Sequence, residues 1–241
     1  MAGVTALPDD ILVRLRPHVV PGRAPAERRY LKSRLQHLGV PMAPLRATTR
    51  DVLRDHPDLD AGARSRLVVL LWEREIHELR RVAVLLLEDA DDLDADALDL
   101  VEDLVRDART WALVDPLAIN VAGRIALHDD RVWQRTDVWA VDDDLWVRRA
   151  ALLAHIPALR LDHALFGQVT DHADALLDDR EFFIRKAIGW VLREVARREP
   201  AIVTAWLEPR ASRASGVTLR EAVRYLPAED RARLLAARSG R

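Results

Sequence analysis

Glu181-Phe182-Phe183-Ile184-Arg185-Lys186-Ala187-Ile188-Gly189-Trp190-Val191-Leu192-Arg193-Glu194 reads as one amphipathic helix, running on to about Arg198 before Glu199-Pro200 stops it. Ile184, Ala187, Ile188, Val191, Leu192 and Val195 recur three and four residues apart and build one apolar stripe. A second row at the same spacing, Phe183, Lys186, Trp190, Arg193 and Arg197, lies on another face. A tryptophan in a basic row suits a polyanion with flat or sugar surfaces to pack against. The plainer alternative is a tryptophan at the edge of the core, fringed by arginines whose stems lie along it.

Outward from this helix the same period persists. No stretch alternates apolar and polar residues for long enough to be a strand. The pattern predicts a short helix over 11–16 after Asp9 and Asp10, and a second from Ala24 to Leu38 with Gly39 as its stop. Further helices are expected from Pro41 to Arg50, Leu59 to Arg74, Glu75 to Glu88, Ala95 to Arg106, Pro116 to His128, Leu145 to Ile156 and Ala164 to Leu177. After the opening helix come Pro200 to Leu207, Leu219 to Leu226 and Glu229 to Ala237. Short helices joined by tight turns must share cores with their neighbours. The expected fold is therefore all-α, a curved solenoid of helical pairs in one domain over residues 1–241, with an irregular single-core bundle as the alternative.

Composition narrows the function. The 241 residues include no cysteine, which excludes disulfides, thiolate zinc sites, iron–sulfur clusters and thiol nucleophiles and fits a reducing compartment. No apolar run is long enough to span a membrane and no signal pattern opens the chain, so the expected location is cytoplasmic. Net charge is only −2, but it is unevenly spread. Acidic residues dominate from Glu88 to Asp144, whereas Arg180 to Arg241 carries 14 Lys/Arg against 7 Asp/Glu. A chain polarised in this way can present a phosphate-binding surface while staying near neutral overall.

Most catalytic templates fail. Asp92, Asp94 and Asp96 fit positions 1, 3 and 5 of a calcium loop, but Ala97 stands where the turn wants glycine and Asp103 where a glutamate closes the site. Asp94 or Asp96 is expected instead to cap the next helix. The eight histidines show no zinc spacing, and neither a glycine-rich phosphate loop nor a serine elbow is present. Two stretches remain. In Arg109-Thr110-Trp111-Ala112-Leu113-Val114-Asp115-Pro116, Asp115 either shares a helical turn with Trp111 or caps a helix whose first residue is Pro116. In Leu145-Trp146-Val147-Arg148-Arg149-Ala150-Ala151-Leu152-Leu153, Arg149 falls beside the apolar stripe. A charge placed there needs a partner, either a carboxylate of the fold or a phosphate from outside.

Tyr30-Leu31-Lys32 with Leu38-Gly39-Val40, Trp111 with Val114-Asp115, Trp146-Val147-Arg148-Arg149, the Phe182–Glu194 block and Leu219-Arg220-Glu221-Ala222 together resemble the DNA alkylation repair glycosylases of the AlkD type, from about Tyr30 to Arg224. The resemblance implies a horseshoe of HEAT-like helical pairs whose concave face binds double-stranded DNA. It further implies excision of cationic N3- and N7-alkylated purines by a monomer that needs no cofactor and no metal. The family's catalytic carboxylate falls on Asp115, its two lesion-flanking tryptophans on Trp111 and Trp190, and the arginine of its cleft on Arg149. Tyr30 matches a further aromatic near the DNA. Lys32, Lys186, Arg193, Arg197 and Arg220, with Arg149, would contact phosphates, which position a duplex without reading its sequence. The departures are local: Thr110 stands where the family often has a second tryptophan, Ala112 and Leu113 replace polar residues, and Leu35 replaces an aromatic. A non-catalytic relative that binds DNA structure, or a helical scaffold for a protein partner, are the alternatives.

Overall fold

A computed structural model describes residues 2–162 and 165–239, and every regular element among them is helical. The helices fall into two compact units, residues 1–117 and 118–241.

The first unit is arranged about a helix that is buried on every side. It comprises α1 (Ala2–Leu15), α2 (Arg23–Leu31), α3 (Met42–Asp55), α4 (Ala61–Trp72), α5 (His77–Glu88), α6 (Leu98–Ala108) and α7 (Trp111–Pro116). All twelve residues of α5 are buried, with α3, α4 and α7 packed around it. Leu67 and Leu71 of α4, Val52 of α3 and Leu113 of α7 are wholly buried. Each such side chain contributes roughly 1.5–3 kcal/mol through burial. The polar residues of α5 are buried too, and Glu78 and Arg80 hold neighbouring segments. Glu78 accepts from the backbone N–H groups of Leu38, Gly39 and Val40 at 2.9, 2.6 and 3.2 Å. Arg80 donates to the Trp72 carbonyl and pairs with Asp107, its guanidinium 4.7 Å from the Trp72 ring centroid.

The helix expected to reach Leu38 stops at Leu31. Lys32 turns left-handed at φ 50°, and the Ser33 N–H closes back on the Arg28 carbonyl at 3.0 Å. The Ser33 hydroxyl then takes the Leu35 N–H, and Gln36 pairs with the backbone beside Ile76. Gly39 is not a helix stop. At φ 83° it turns a loop in which a Cβ would stand 2.8 Å from the Ala24 nitrogen. The opening helix is longer than expected, since α1 takes in Asp9 and Asp10. As anticipated, the Asp94 carboxylate caps the 3-10 turn Ala95–Ala97 that leads into α6.

The second unit is arranged about the quoted stretch. Its elements are α8 (Gly123–Ile125), α9 (Arg131–Trp139), α10 (Leu145–Leu153), α11 (Ile156–Leu161), α12 (Phe166–Ala175), α13 (Phe182–Ala196), α14 (Pro200–Leu207), α15 (Gly216–Ala222) and α16 (Ala228–Ser239). The apolar stripe Ile184, Ala187, Ile188, Val191, Leu192, Val195 is buried as the spacing requires, against α10, α11, α14 and α15. α15 crosses α13 at Gly189, where a Cβ would lie 2.6 Å from the Glu221 Cβ and 2.7 Å from the Thr218 carbonyl oxygen. Two helices here had no counterpart in the sequence reading: α9, which buries Trp139 completely, and α11, which Pro157 separates from α10. α12 begins at Phe166, and the expected start at Ala164 lies outside the described residues.

Candidate functional site

In the first unit the candidate residues gather on α7 and α2. Thr110 is the N-cap of α7, its hydroxyl accepting from the Ala112 N–H. Trp111 and Asp115 therefore lie one turn apart on the same face of a single helix. The alternative, Asp115 as the cap of a helix beginning at Pro116, is overturned: Asp115 and Pro116 are both inside α7. Proline in a helix removes the N–H that would bond the carbonyl four residues back, here that of Ala112. That carbonyl instead accepts from Arg81 Nη1 of α5 at 3.4 Å. Beyond Pro116 the backbone widens into a π-helical stretch, Leu117–Ala122. Asp115 is 9% exposed and Trp111 is half-buried. Tyr30, 74% exposed, meets the Trp111 ring edge-on at 5.9 Å and 88°. Lys32, two residues on, is exposed at the C-cap of α2. Three of the singled-out residues thus fall in one neighbourhood: Asp115 one turn along α7 from Trp111, and Tyr30 in ring contact with Trp111.

In the second unit Arg149 is only 2% exposed. Its Nη1 donates to the Phe183 carbonyl at 2.6 Å, and its guanidinium lies 5.8 Å from the Phe183 ring centroid. A backbone carbonyl of α13 and an aromatic face are thus partners that residue identity did not announce. Trp146 packs on the same ring at 5.0 Å, and the exposed Phe182 meets it edge-on at 5.4 Å. Phe183 therefore leaves the basic row and serves as a platform for Arg149.

The rest of that row stands as expected on successive turns of α13. Lys186 and Arg197 are exposed, while Trp190 and Arg193 are half-buried. The Trp190 Nε1 donates to Glu194 Oε1 at 3.1 Å, and Arg160 Nε donates to Glu194 Oε2 at 3.1 Å. Burial pushes the Glu194 carboxyl up, but these two hydrogen bonds and the charges of Arg160 and Arg197 together hold the group below the usual carboxylate range. Arg193 pairs with Glu221 and lies 5.8 Å from the Trp190 ring centroid. Arg197 stacks on Tyr225 at 4.6 Å. Arg220 is exposed on α15. Glu194 was not singled out from the sequence, although its spacing of four from Trp190 is the signal that would have found it.

Among the described residues, Glu27, His37 and Glu78 bring metal-ligand atoms within 4.8 Å of one another. Glu78 already accepts from three backbone N–H groups, and Glu27 pairs with Arg23 at 2.5 Å. Both carboxylates are thus committed to holding the chain.

The sequence model of the DNA alkylation repair enzyme family matches residues 11–226. No curated protein matches the chain. Among solved structures, a predicted DNA alkylation repair enzyme from Enterococcus faecalis superposes with a TM-score of 0.75 at 19% identity, covering 86% of this chain and 96% of that one. AlkD2 from Streptococcus mutans superposes with a TM-score of 0.60 at 20% identity, covering 75% of this chain and 89% of that one. At these identities the likeness bears on the fold.

Proposed function

This chain belongs to the DNA alkylation repair enzyme family, and on that footing we propose that it is a DNA glycosylase which releases cationic N3- and N7-alkylated purines from double-stranded DNA. The observation that carries the reading is the arrangement on α7: a nearly buried carboxylate, Asp115, one helical turn from a tryptophan that a second, exposed aromatic meets edge-on. A purine alkylated at N3 or N7 is already a cation, so it departs as a neutral base without needing a strong acid. As the N-glycosidic bond stretches, positive charge develops on the deoxyribose. A carboxylate beside that sugar stabilises the charge and orients the water that adds to C1′. The indole face of Trp111 attracts the cationic base, a contact worth roughly 0.5–2 kcal/mol.

In this reading Trp190 packs against the lesion nucleotide, and Lys32, Lys186, Arg193, Arg197 and Arg220 meet phosphates, with Tyr30 as a further aromatic contact, while the buried Arg149 holds α13 through the Phe183 carbonyl rather than meeting a phosphate directly. The protein works as one domain over residues 1–241, as a cytoplasmic monomer without cofactor or metal. No helix of the described residues is long and apolar enough to cross a membrane. Release of 3-methyladenine or 7-methylguanine from methylated duplex tests the proposal. Asp115→Asn should lower the rate by about 100-fold or more with duplex binding kept. Wild-type protein that binds methylated duplex but frees no base, beside an authentic glycosylase that does, would leave the non-catalytic reading in its place.

A further inference from the structure

The second unit contains a cavity of about 730 Å³ that shares one residue, Arg220, with the proposed duplex contacts and is otherwise unused by the proposed reaction. Its walls come from the loop before α13 and that helix's first turn, the loop before α15 and α15 itself, and the C-terminal half of α16. Four arginines line it, Arg185, Arg213, Arg220 and Arg238, and the one acid among the lining residues is Asp178. That acid is already engaged by Arg213 at 2.9 Å. Arg185 donates its Nε to the Asp179 carbonyl at 2.7 Å, which fixes the plane of its guanidinium at the cavity wall.

Arg220 and Arg238 decide what the cavity is for. Neither pairs with a carboxylate among the described residues. Yet they converge on one point. A Cβ built on Gly216 would lie 3.0 Å from Arg220 Nη1 and 2.5 Å from Arg238 Nη1. Two cations that share a point lie well inside a Debye length of about 8 Å, so their repulsion is not screened away. An anion lying between them reverses the sign of that interaction. Gly216 leaves the space open, because any side chain there would occupy the point both guanidinium groups reach.

We infer that this cavity binds a phosphate group, held in the fork of Arg220 and Arg238 with Arg185 behind it. Guanidinium forks match phosphate oxygens in pairs, and several cations facing one ligand suit its charge better than a single carboxylate would. The volume exceeds that of a bare phosphate and leaves room for an attached sugar. A free phosphate ion, a terminal phosphomonoester of a nucleic acid and a backbone phosphodiester all supply this chemistry.

The test is a calorimetric and ³¹P NMR titration of the whole chain with inorganic phosphate at fixed ionic strength. Saturable binding is expected for wild type, weakened about tenfold or more in Arg220→Gln and in Arg238→Gln, the loss of one charge-assisted hydrogen bond. Gly216→Ala should weaken it too while leaving the melting temperature unchanged or higher, since alanine is the better helix former and the displaced groups are flexible ends. Arg231→Gln, on α16 but outside the cavity, should bind as wild type does. No saturation by wild type, or unchanged binding in both cavity variants, would overturn the inference. Undamaged duplexes with and without a 5′-phosphate then separate the sources. A loss in Arg238→Gln confined to the phosphorylated duplex identifies the terminal monoester, and an equal loss on both identifies the backbone. No loss on either, with phosphate binding still weakened, identifies the free ion. None of these measurements involves excision, so their failure leaves the role of Asp115 untouched, and loss of that role leaves the cavity.

Discussion

Glu194 is the junction of three polar side chains in the second unit, and its substitution separates hydrogen bonding from charge. Trp190 and Arg160 donate to its two oxygens, and Arg193 Nη2 stands 3.8 Å away. Glu194→Leu leaves the indole N–H of a half-buried ring without its acceptor and should destabilise the protein by about 1–3 kcal/mol. Glu194→Gln keeps an acceptor for Trp190 and should lose less than half as much, because Arg160 is half exposed and an exposed ion pair contributes little. Urea unfolding of both variants checks this, and equal losses would mean that the charge matters more than the hydrogen bond. The same residues show what a sequence can disclose of a site. Trp190 within its basic row is legible because helical spacing fixes which side chains share a face, whereas Pro116 leaves Asp115 open between sharing a turn with Trp111 and capping the next helix. The Phe183 carbonyl that receives Arg149 is not legible, because a carbonyl carries no residue identity and the two residues stand 34 apart in the chain.

At the scale of elements, α7 is a helix with a proline inside it, and Arg81 of α5 takes the carbonyl that the proline leaves open. Arg81→Met keeps the packing stem but removes the donor, and should cost about 1–3 kcal/mol as that carbonyl goes unsatisfied. Because Trp111 and Asp115 both lie on α7, excision should fall in the same variant, more in kcat than in KM. An unchanged rate would show that α7 holds its geometry without Arg81. A second element-level effect depends on pH. His155, fully buried at the head of α11, donates Nδ1–H to the Ala151 carbonyl, and burial pulls its pKa down to about 4. The unfolded histidine takes up a proton near pH 6.5 whereas the folded one stays neutral, so this group's contribution to stability is lost as pH falls from about 6.5 to about 4. The loss is on the order of 3 kcal/mol, and the slope of stability against pH should flatten in His155→Gln. A variant with the wild-type slope would assign the acid sensitivity to other groups. Periodicity located nearly every long helix and failed where local turn chemistry took over. α2 ends seven residues early because Lys32 adopts a left-handed turn that only its neighbours' backbone bonds reveal. α9 escapes the pattern because Gln134, Arg135 and Asp137 interrupt its few apolar residues, although Trp139 anchors it in the core.

For the whole molecule, net charge −2 and a sequence pI near 6.5 describe a protein that should not be attracted to DNA by its average field. Attraction must come from how the charge is placed, with 14 Lys/Arg against 7 Asp/Glu from Arg180 onward and an acidic stretch that is partly neutralised internally, as by the pairing of Arg64 with Asp92. Salt dependence measures that placement directly. If Lys32, Lys186, Arg193, Arg197 and Arg220 together neutralise about five phosphates, the observed binding constant should fall by roughly 500-fold between 50 and 200 mM salt, whatever the duplex sequence. The slope counts phosphates, so removing one exposed cation should reduce it by about one unit. Lys186→Ala and Arg197→Ala are the informative variants, since both side chains are exposed and neither holds the core together. Arg193→Ala should behave differently: it leaves Glu221 without its partner beside Trp190, so stability should fall along with affinity. A binding constant that hardly moves with salt would remove DNA as the principal ligand, because a protein partner docked on a helical surface depends on buried apolar area, which salt does not screen. A steep slope unaltered in Lys186→Ala and Arg197→Ala would keep DNA as the ligand but move its track off α13, and Trp190 would then revert to the edge of the core.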